Sequence, residues 1–239
     1  MTESNHPEIS IIVPIFNEEE NLPELTAQIV KGIEPLQTSY EILLVDDGST
    51  DGSLAILDTL KSQYPTLSVL QFTRNAGQSA ALHAGLNKAR GNLLVSLDGD
   101  LQNDPDDIPR LVGLLKDFDL VCGYRAKRKD TTAKRIASRI ANFVRSRFVG
   151  DGVRDTGCTL KAYRKEVVTA LPLFRGMHRF IPALIKGAGF TVTEVAVNHR
   201  PRIHGVSKYS VAGRAWKATM DMFGVRWLNS RLCPYKIKN

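Results

Sequence analysis

Apolar positions in the first half of the chain fall into two alternating rhythms. Short runs rich in β-branched residues, ISIIVPI (9–15), EILLVDD (41–47), LSVLQF (67–72) and NLLVSLD (92–98), are separated by stretches of helical length and composition near 18–32, 52–63, 77–90 and 105–117. The runs are almost continuously apolar, which predicts strands buried on both faces, as in a parallel sheet. Strand and helix in alternation predict an α/β fold: a Rossmann-like open sheet, mostly parallel and flanked by helices. Ligands of such sheets bind beyond the carboxyl ends of the strands, so the residues just past each run are the first candidates for a site.

Those residues are acidic and polar: Phe16-Asn17-Glu18, Asp46-Asp47-Gly48-Ser49, Arg74-Asn75 and Asp98-Gly99-Asp100, all expected on one edge of the sheet. The first turn, PIFNEEEN, contains no glycine, which argues against a dinucleotide such as NAD or FAD. If Asp98-Gly99-Asp100-Leu101-Gln102 continues as extended chain, side chains two apart share a direction, and Asp98, Asp100 and Gln102 converge. Hard oxygen donors of this kind suit Mg²⁺ or Mn²⁺ shared with a diphosphate, and two carboxylates side by side repel each other without a cation. The plainer alternative is a polar turn that caps the next helix. That reading fits Asp104 as N-cap and Pro105 at the first helical position, as it fits Asp51 before the second helix.

Composition and charge narrow the partners. The 239 residues are 43% hydrophobic and 24% charged, the balance of one folded domain with a small C-terminal appendage. Cys122, Cys158 and Cys233 lack metal-ligand spacing, which fits a reducing, cytoplasmic setting. The start, MTESNHPEIS, does not read as a secretory signal, and no run of about 18 apolar residues predicts a membrane span. A formal net charge of +7 favours anionic partners, and basic residues gather between Arg125 and Arg147 and again between Arg200 and Lys238. Nucleic acid is not expected among them, because the acidic strand ends repel phosphates unless metal intervenes and no aromatic-basic recognition motif is present.

Taken in order, PIFNEEENL, EILLVDDGSTDGS, RNAGQSAALHAGLNKARG and SLDGDLQNDPDDIPRL resemble the family 2 glycosyltransferases of GT-A fold. The branch they look most like contains dolichol-phosphate mannosyltransferases and bacterial undecaprenyl-phosphate sugar transferases, and DTGCTLKAYRKEV (155–167) and RIHGVSKYS (202–210) extend the likeness. The resemblance implies a nucleotide-sugar donor, GDP-mannose or a UDP-sugar, whose base and ribose pocket is built from Pro14, Phe16, Glu18, Val45 and Asp47, with Asp47 accepting from a base N–H. Phe16 stands where the family more often has tyrosine. Arg202, Ser207 and Lys208 match the segment that closes over the donor diphosphate. Asp98, Asp100 and Gln102 take the metal position, and Asp155 the position near the reacting centre. On the acceptor side, Lys134 and Ser138 lie one helical turn apart within a basic segment at 131–148 and would hold a phosphate. Lys134 replaces an arginine, so Arg135 and Arg125 join the candidate cluster.

The reaction implied is transfer, with inversion at the anomeric carbon, to a polyprenyl or dolichyl phosphate, the alternative being a soluble or cell-envelope glycan hydroxyl. Two parts are expected, a catalytic domain at 1–207 and a basic amphipathic helix and tail at 208–239. On that helix Val211, Ala215, Phe223 and Trp227, with Trp216 and Met220 alongside, share one face and Arg214, Lys217 and Asp221 another, which suits a peripheral seat at the inner face of a membrane. The same face would serve equally for packing on the core, on a membrane-protein partner or on a second copy of the chain.

Overall fold

A computed structural model describes residues 6–126, 145–201 and 211–233, apart from the side chains of 211–218. The four early apolar runs are strands: β1 (Ile9–Ile15), β2 (Tyr40–Asp46), β3 (Leu67–Gln71) and β4 (Leu93–Ser96). Helices α1 (Leu22–Ile33), α2 (Ser53–Gln63), α3 (Gln78–Lys88) and α4 (Ile108–Leu114) come after them in turn. β1 pairs in parallel with both β2 and β4, and β2 with β3, so four carboxyl ends share one edge.

The second half extends the sheet in a different sense. β5 (Leu120–Arg125), β6 (Lys161–Arg164) and β7 (Val192–Val197) complete seven strands in the order β3-β2-β1-β4-β6-β5-β7. β6 runs antiparallel to both of its neighbours, while β5 and β7 pair in parallel. α5 (Ile181–Gly187) and α6 (Val211–Asn229) lie in this half.

Alternation along β1 divides the core between the two faces of the sheet. Ile11 and Val13 join Leu25, Ile29 and Ile108 on one side, and Ile12 joins Leu82, Leu86 and Leu184 on the other. α6 docks on the second cluster through buried Val225, and its Asn229 Nδ2 donates to Ala183 O of α5 at 2.9 Å. Among the described residues no helix is long and apolar enough to cross a membrane.

One local expectation is corrected. β4 stops at Ser96, and 98–102 is a turn with Leu101 at φ 61°, not extended chain. Its polar groups satisfy one another: Asp98 N donates to Asn103 Oδ1 at 2.9 Å and Gln102 N to Asp100 Oδ1 at 3.1 Å. Strand alternation therefore does not bring the acidic side chains together. The turn does.

Candidate active site

The first two βα turns are knitted into one floor at the carboxyl edge. Asn17, at φ 54°, donates its N–H to Ser49 Oγ at 2.9 Å and accepts Thr50 N at 2.8 Å, while Glu18 N donates to Ser53 Oγ at 3.0 Å. Glu18 in turn accepts Asn21 Nδ2 at 2.6 Å. Pro14 and Val45 are register partners on β1 and β2, and Phe16 leaves the end of β1 beside them.

Asp47 is buried and committed to the next loop. Its carboxylate accepts Ala76 N at 2.7 Å, Gly77 N at 2.9 Å and Asn75 Nδ2 at 3.0 Å. Burial raises its affinity for a proton, and the loop N–H groups work against that rise. Gly48, at φ +72°, permits the approach of this loop, since a Cβ there would lie 2.6 Å from the Arg74 carbonyl carbon.

Asp98 and Asp100 form the acidic centre. Gln78 Nε2 donates to Asp98 Oδ1 at 2.9 Å from the start of α3. The residue keeps some contact with solvent, yet desolvation of its carboxylate, reinforced by the charge of Asp100, pushes its pKa up to about 6. It lines a small pocket together with Pro14, Gln78, Thr159, Lys161 and His178. Lys161 is buried and donates to Cys158 O, and its charge offsets part of the rise at Asp98.

The chain that leads out of β7 is stitched to this turn. Arg200 N donates to Gln102 O at 2.9 Å, Gln102 Nε2 reaches Arg200 O at 3.5 Å, and Arg200 Nη2 donates to Asp104 Oδ1 at 2.6 Å. Asp104 also caps the turn of 3₁₀ helix at Pro105–Asp107, accepting Asp106 N at 3.3 Å, as its place before Pro105 suggests. Arg202, Ser207 and Lys208 lie outside the described residues, as do Lys134, Arg135 and Ser138.

Two candidates from separate motifs prove to be partners. Asp155 accepts Arg125 Nε at 2.7 Å and Arg125 Nη2 at 2.9 Å, a two-pronged ion pair with little solvent around it. Burial alone would weaken the charge on Arg125, but Asp155 outweighs it, with a further contribution from the charge of Asp98. The guanidinium therefore stands within electrostatic reach of the acidic turn. Sequence reasoning missed Glu194 of β7, which accepts Arg154 N at 2.8 Å and Asp155 N at 3.4 Å. It missed His178 as well, whose Nδ1 lies 2.7 Å from Ser79 Oγ. Neither residue sits in a motif, and their partners are 40 and 99 positions away, so only the fold brings them together.

Among the described residues no group of three or more His, Cys, Asp or Glu forms a cage for a metal ion. The pair Asp98 and Asp100 nonetheless suits Mg²⁺ or Mn²⁺, which bind through one or two carboxylates when substrate phosphates complete the shell. The raised pKa of Asp98, caused first by desolvation and then by the neighbouring charge of Asp100, is the property a cation would relieve.

Residues 10–171 match the description Glycosyl transferase family 2. The chain is 40% identical over 224 residues to a dodecaprenyl-phosphate galacturonate synthase of Rhizobium johnstonii, covering 91% of this chain and 66% of the relative. It is 41% identical over 204 residues to an undecaprenyl-phosphate 4-deoxy-4-formamido-L-arabinose transferase of Pseudomonas fluorescens, covering 84% of this chain and 60% of the relative. It thus spans less than two thirds of the length of either. Among solved structures, glucosyl-3-phosphoglycerate synthase from Mycobacterium tuberculosis, with Mn²⁺, UDP and phosphoglyceric acid, superposes with a TM-score of 0.66 at 19% identity, over 95% of this chain and 80% of that one. A mannosyltransferase from Pyrobaculum calidifontis, with GDP-mannose and Mn²⁺, gives 0.65 at 20% identity, over 94% and 64%. Both share the mostly parallel sheet flanked by helices.

Proposed function

The chain belongs to glycosyl transferase family 2, and from that premise we propose that it moves a sugar from a nucleotide diphosphate donor to a polyprenyl or dolichyl phosphate, with inversion at the anomeric carbon. The Rhizobium and Pseudomonas relatives differ in their sugar and agree in a polyprenyl phosphate acceptor, which supports the acceptor class more firmly than the sugar. The observation that carries the reading is electrostatic. An acidic turn suited to a metal diphosphate stands at the carboxyl edge of the sheet, within electrostatic reach of Arg125, a cation suited to an acceptor phosphate.

In this reading Pro14, Phe16, Glu18 and Val45 shape the base and ribose pocket, and Asp47 contributes by holding the 75–77 loop in place. Asp98 and Asp100, with Gln102 beside them, hold the divalent cation, which when bound supplies positive charge to the leaving diphosphate. Arg202, Ser207 and Lys208 close over that diphosphate, and Arg125, Lys134, Arg135 and Ser138 receive the acceptor. A phosphate monoester has its second pKa near 6, so its attacking oxygen is already anionic at neutral pH. That oxygen forms a bond to the anomeric carbon as the bond to the nucleoside diphosphate breaks, and no general base is required. Asp155, engaged with Arg125, acts by orienting and not by taking a proton. The same engagement disfavours transfer to a glycan hydroxyl, which would need a base. Residues 1–207 carry this chemistry, and 208–239 seat it peripherally on the inner face of a membrane.

A panel of GDP- and UDP-sugars with Mn²⁺ in thermal-shift measurements identifies the donor, since a bound ligand raises the melting temperature by mass action. Polyprenyl phosphate and a soluble glycan are then offered in parallel with that donor. Transfer to the lipid phosphate is the expected outcome. Transfer to the glycan hydroxyl alone overturns the acceptor assignment.

A further inference from the structure

Glu194 belongs to no motif, yet the backbone beside Arg125 and Asp155 hangs on it. It lies in β7 opposite Cys122 of β5, with a side chain only 11% exposed. A carboxylate so placed must find hydrogen-bond donors. The nearby cation is a weak source: Arg154 Nε stands 3.8 Å away on a side chain 74% exposed, stacked instead over the Tyr124 ring at 5.0 Å. The donors are two backbone N–H groups, those of Arg154 at 2.8 Å and Asp155 at 3.4 Å, both on Oε1. Glu194 therefore pins the chain at the residue whose carboxylate grips Arg125.

The grip is side-on. Asp155 takes the Nε and Nη2 donors of Arg125, and Arg125 N adds a third contact at 3.3 Å. A guanidinium carries five N–H donors in a rigid fork, so a side-on carboxylate leaves the Nη1 edge for a second oxyanion. Among the described residues no hydrogen bond reaches Nη1. Gly157 completes the seat, because a Cβ at that position would lie 2.8 Å from Arg125 Nη2.

We propose that Glu194 is a positioning residue for the acceptor: by fixing the backbone at Arg154 and Asp155 it makes Asp155 present the open edge of Arg125 to a phosphate. The proposal rests on transfer to a lipid phosphate, and it adds a residue that transfer does not itself require. Glu194→Ala removes the acceptor of both N–H groups, whereas Glu194→Gln leaves an amide oxygen able to accept them.

The test has two readouts. The first is the arginine Nε–H region of the ¹⁵N NMR spectrum, where the Arg125 signal is identified by its loss in Arg125→Lys. That signal is protected from solvent exchange in the wild type and in Glu194→Gln, and exposed in Glu194→Ala. Inorganic phosphate shifts it in the first two proteins only. The second is kinetic: with a short-chain polyprenyl phosphate, Glu194→Ala raises the acceptor KM about tenfold, as loss of one charge-assisted contact does. Its affinity for the nucleoside diphosphate with Mn²⁺ stays at the wild-type value, and Glu194→Gln recovers most of the acceptor KM. Persistence of Arg125 protection in Glu194→Ala, or a fall in melting temperature with unchanged acceptor KM, overturns the proposal. A wild type that transfers nothing to prenyl phosphate sinks the acceptor assignment instead, and the NMR arm with inorganic phosphate still decides the role of Glu194.

Discussion

Asp100 and Gly48 show how differently single residues act at the carboxyl edge. Asp100 is a buried carboxylate whose charge adds to the effect of desolvation on Asp98, and an amide in its place keeps the shape but not the charge. Asp100→Asn is therefore expected to lower turnover on the order of a hundredfold or more, since charge stabilisation by a bound metal is worth several kcal/mol. Steady-state assays with and without excess chelator check this, and full turnover in chelator would refute it. Gly48 works through the backbone. At φ +72°, with the Arg74 carbonyl carbon 2.6 Å from a would-be Cβ, Gly48→Ala suffers both strain and a clash. Urea unfolding should show a loss of roughly 2 kcal/mol or more. The capping role of Asp104 was legible because cap and helix are adjacent in sequence. Glu194 was not, because nothing beside it in the chain says which backbone it will meet.

Among the elements, the four parallel strands were readable because each is a short, largely apolar run, and their bounds agree within a few residues; β3, at the edge of the sheet, buries only Leu67 fully and so departs from the expected burial on both faces. β5, β6 and β7 escaped for physical reasons. β6 is four residues, KAYR, with a lysine that is buried against expectation, while β7 and β5 carry charged residues, Glu194 and Arg125, that break the apolar run. The acidic turn was recognised by composition but given the wrong backbone, since strand alternation cannot foresee Leu101 at positive φ. The contact between α3 and the 3₁₀ turn Met177–Arg179 was equally hidden. Ser79 Oγ lies 2.7 Å from His178 Nδ1 and accepts Gly176 N at 3.0 Å, joining the two elements. Burial, helped by the charges of Arg179 and Lys161, lowers the His178 pKa to about 3. The unfolded chain binds a proton at this ring near pH 6.5 and the folded one does not, so stability rises with pH between about 3 and 6.5 and is lost on acidification through that window. Denaturant unfolding at pH 7 and pH 5 should show a larger loss in the wild type than in His178→Gln, and equal losses would remove His178 as the cause.

On the scale of the whole molecule, α6 joins the catalytic sheet to whatever lies outside it. One face is settled: Val225 is buried, and Arg226 Nη1 donates to Phe148 O at 2.8 Å with its guanidinium 4.8 Å from the Phe148 ring. The other face is apolar and open. Met220 is 45% exposed, Phe223 55% and Trp227 63%, at spacings of three and four that align them along one stripe of the helix. Phe223 has a partial anchor, meeting Phe148 edge-on at 4.9 Å, while exposed Arg226 and Arg231 supply positive charge beside the stripe. Single exposed apolar residues are ordinary on soluble proteins, but an aligned Met, Phe and Trp flanked by arginines has the chemistry of a helix lying in an anionic lipid interface. The basic net charge of +7 acts in the same direction. Under the proposed function such a seat would let the acceptor phosphate reach Arg125 while its prenyl tail stays in lipid. Met220→Ser with Trp227→Ser should therefore reduce co-sedimentation with phosphatidylglycerol vesicles several-fold, since interfacial binding scales with buried apolar area. Binding of the wild type should fall with added salt and be weaker on phosphatidylcholine. Because both side chains point away from the core, the melting temperature and turnover on a short, soluble prenyl phosphate should stay near wild type. Unchanged vesicle binding in the double variant would assign this face to another protein chain.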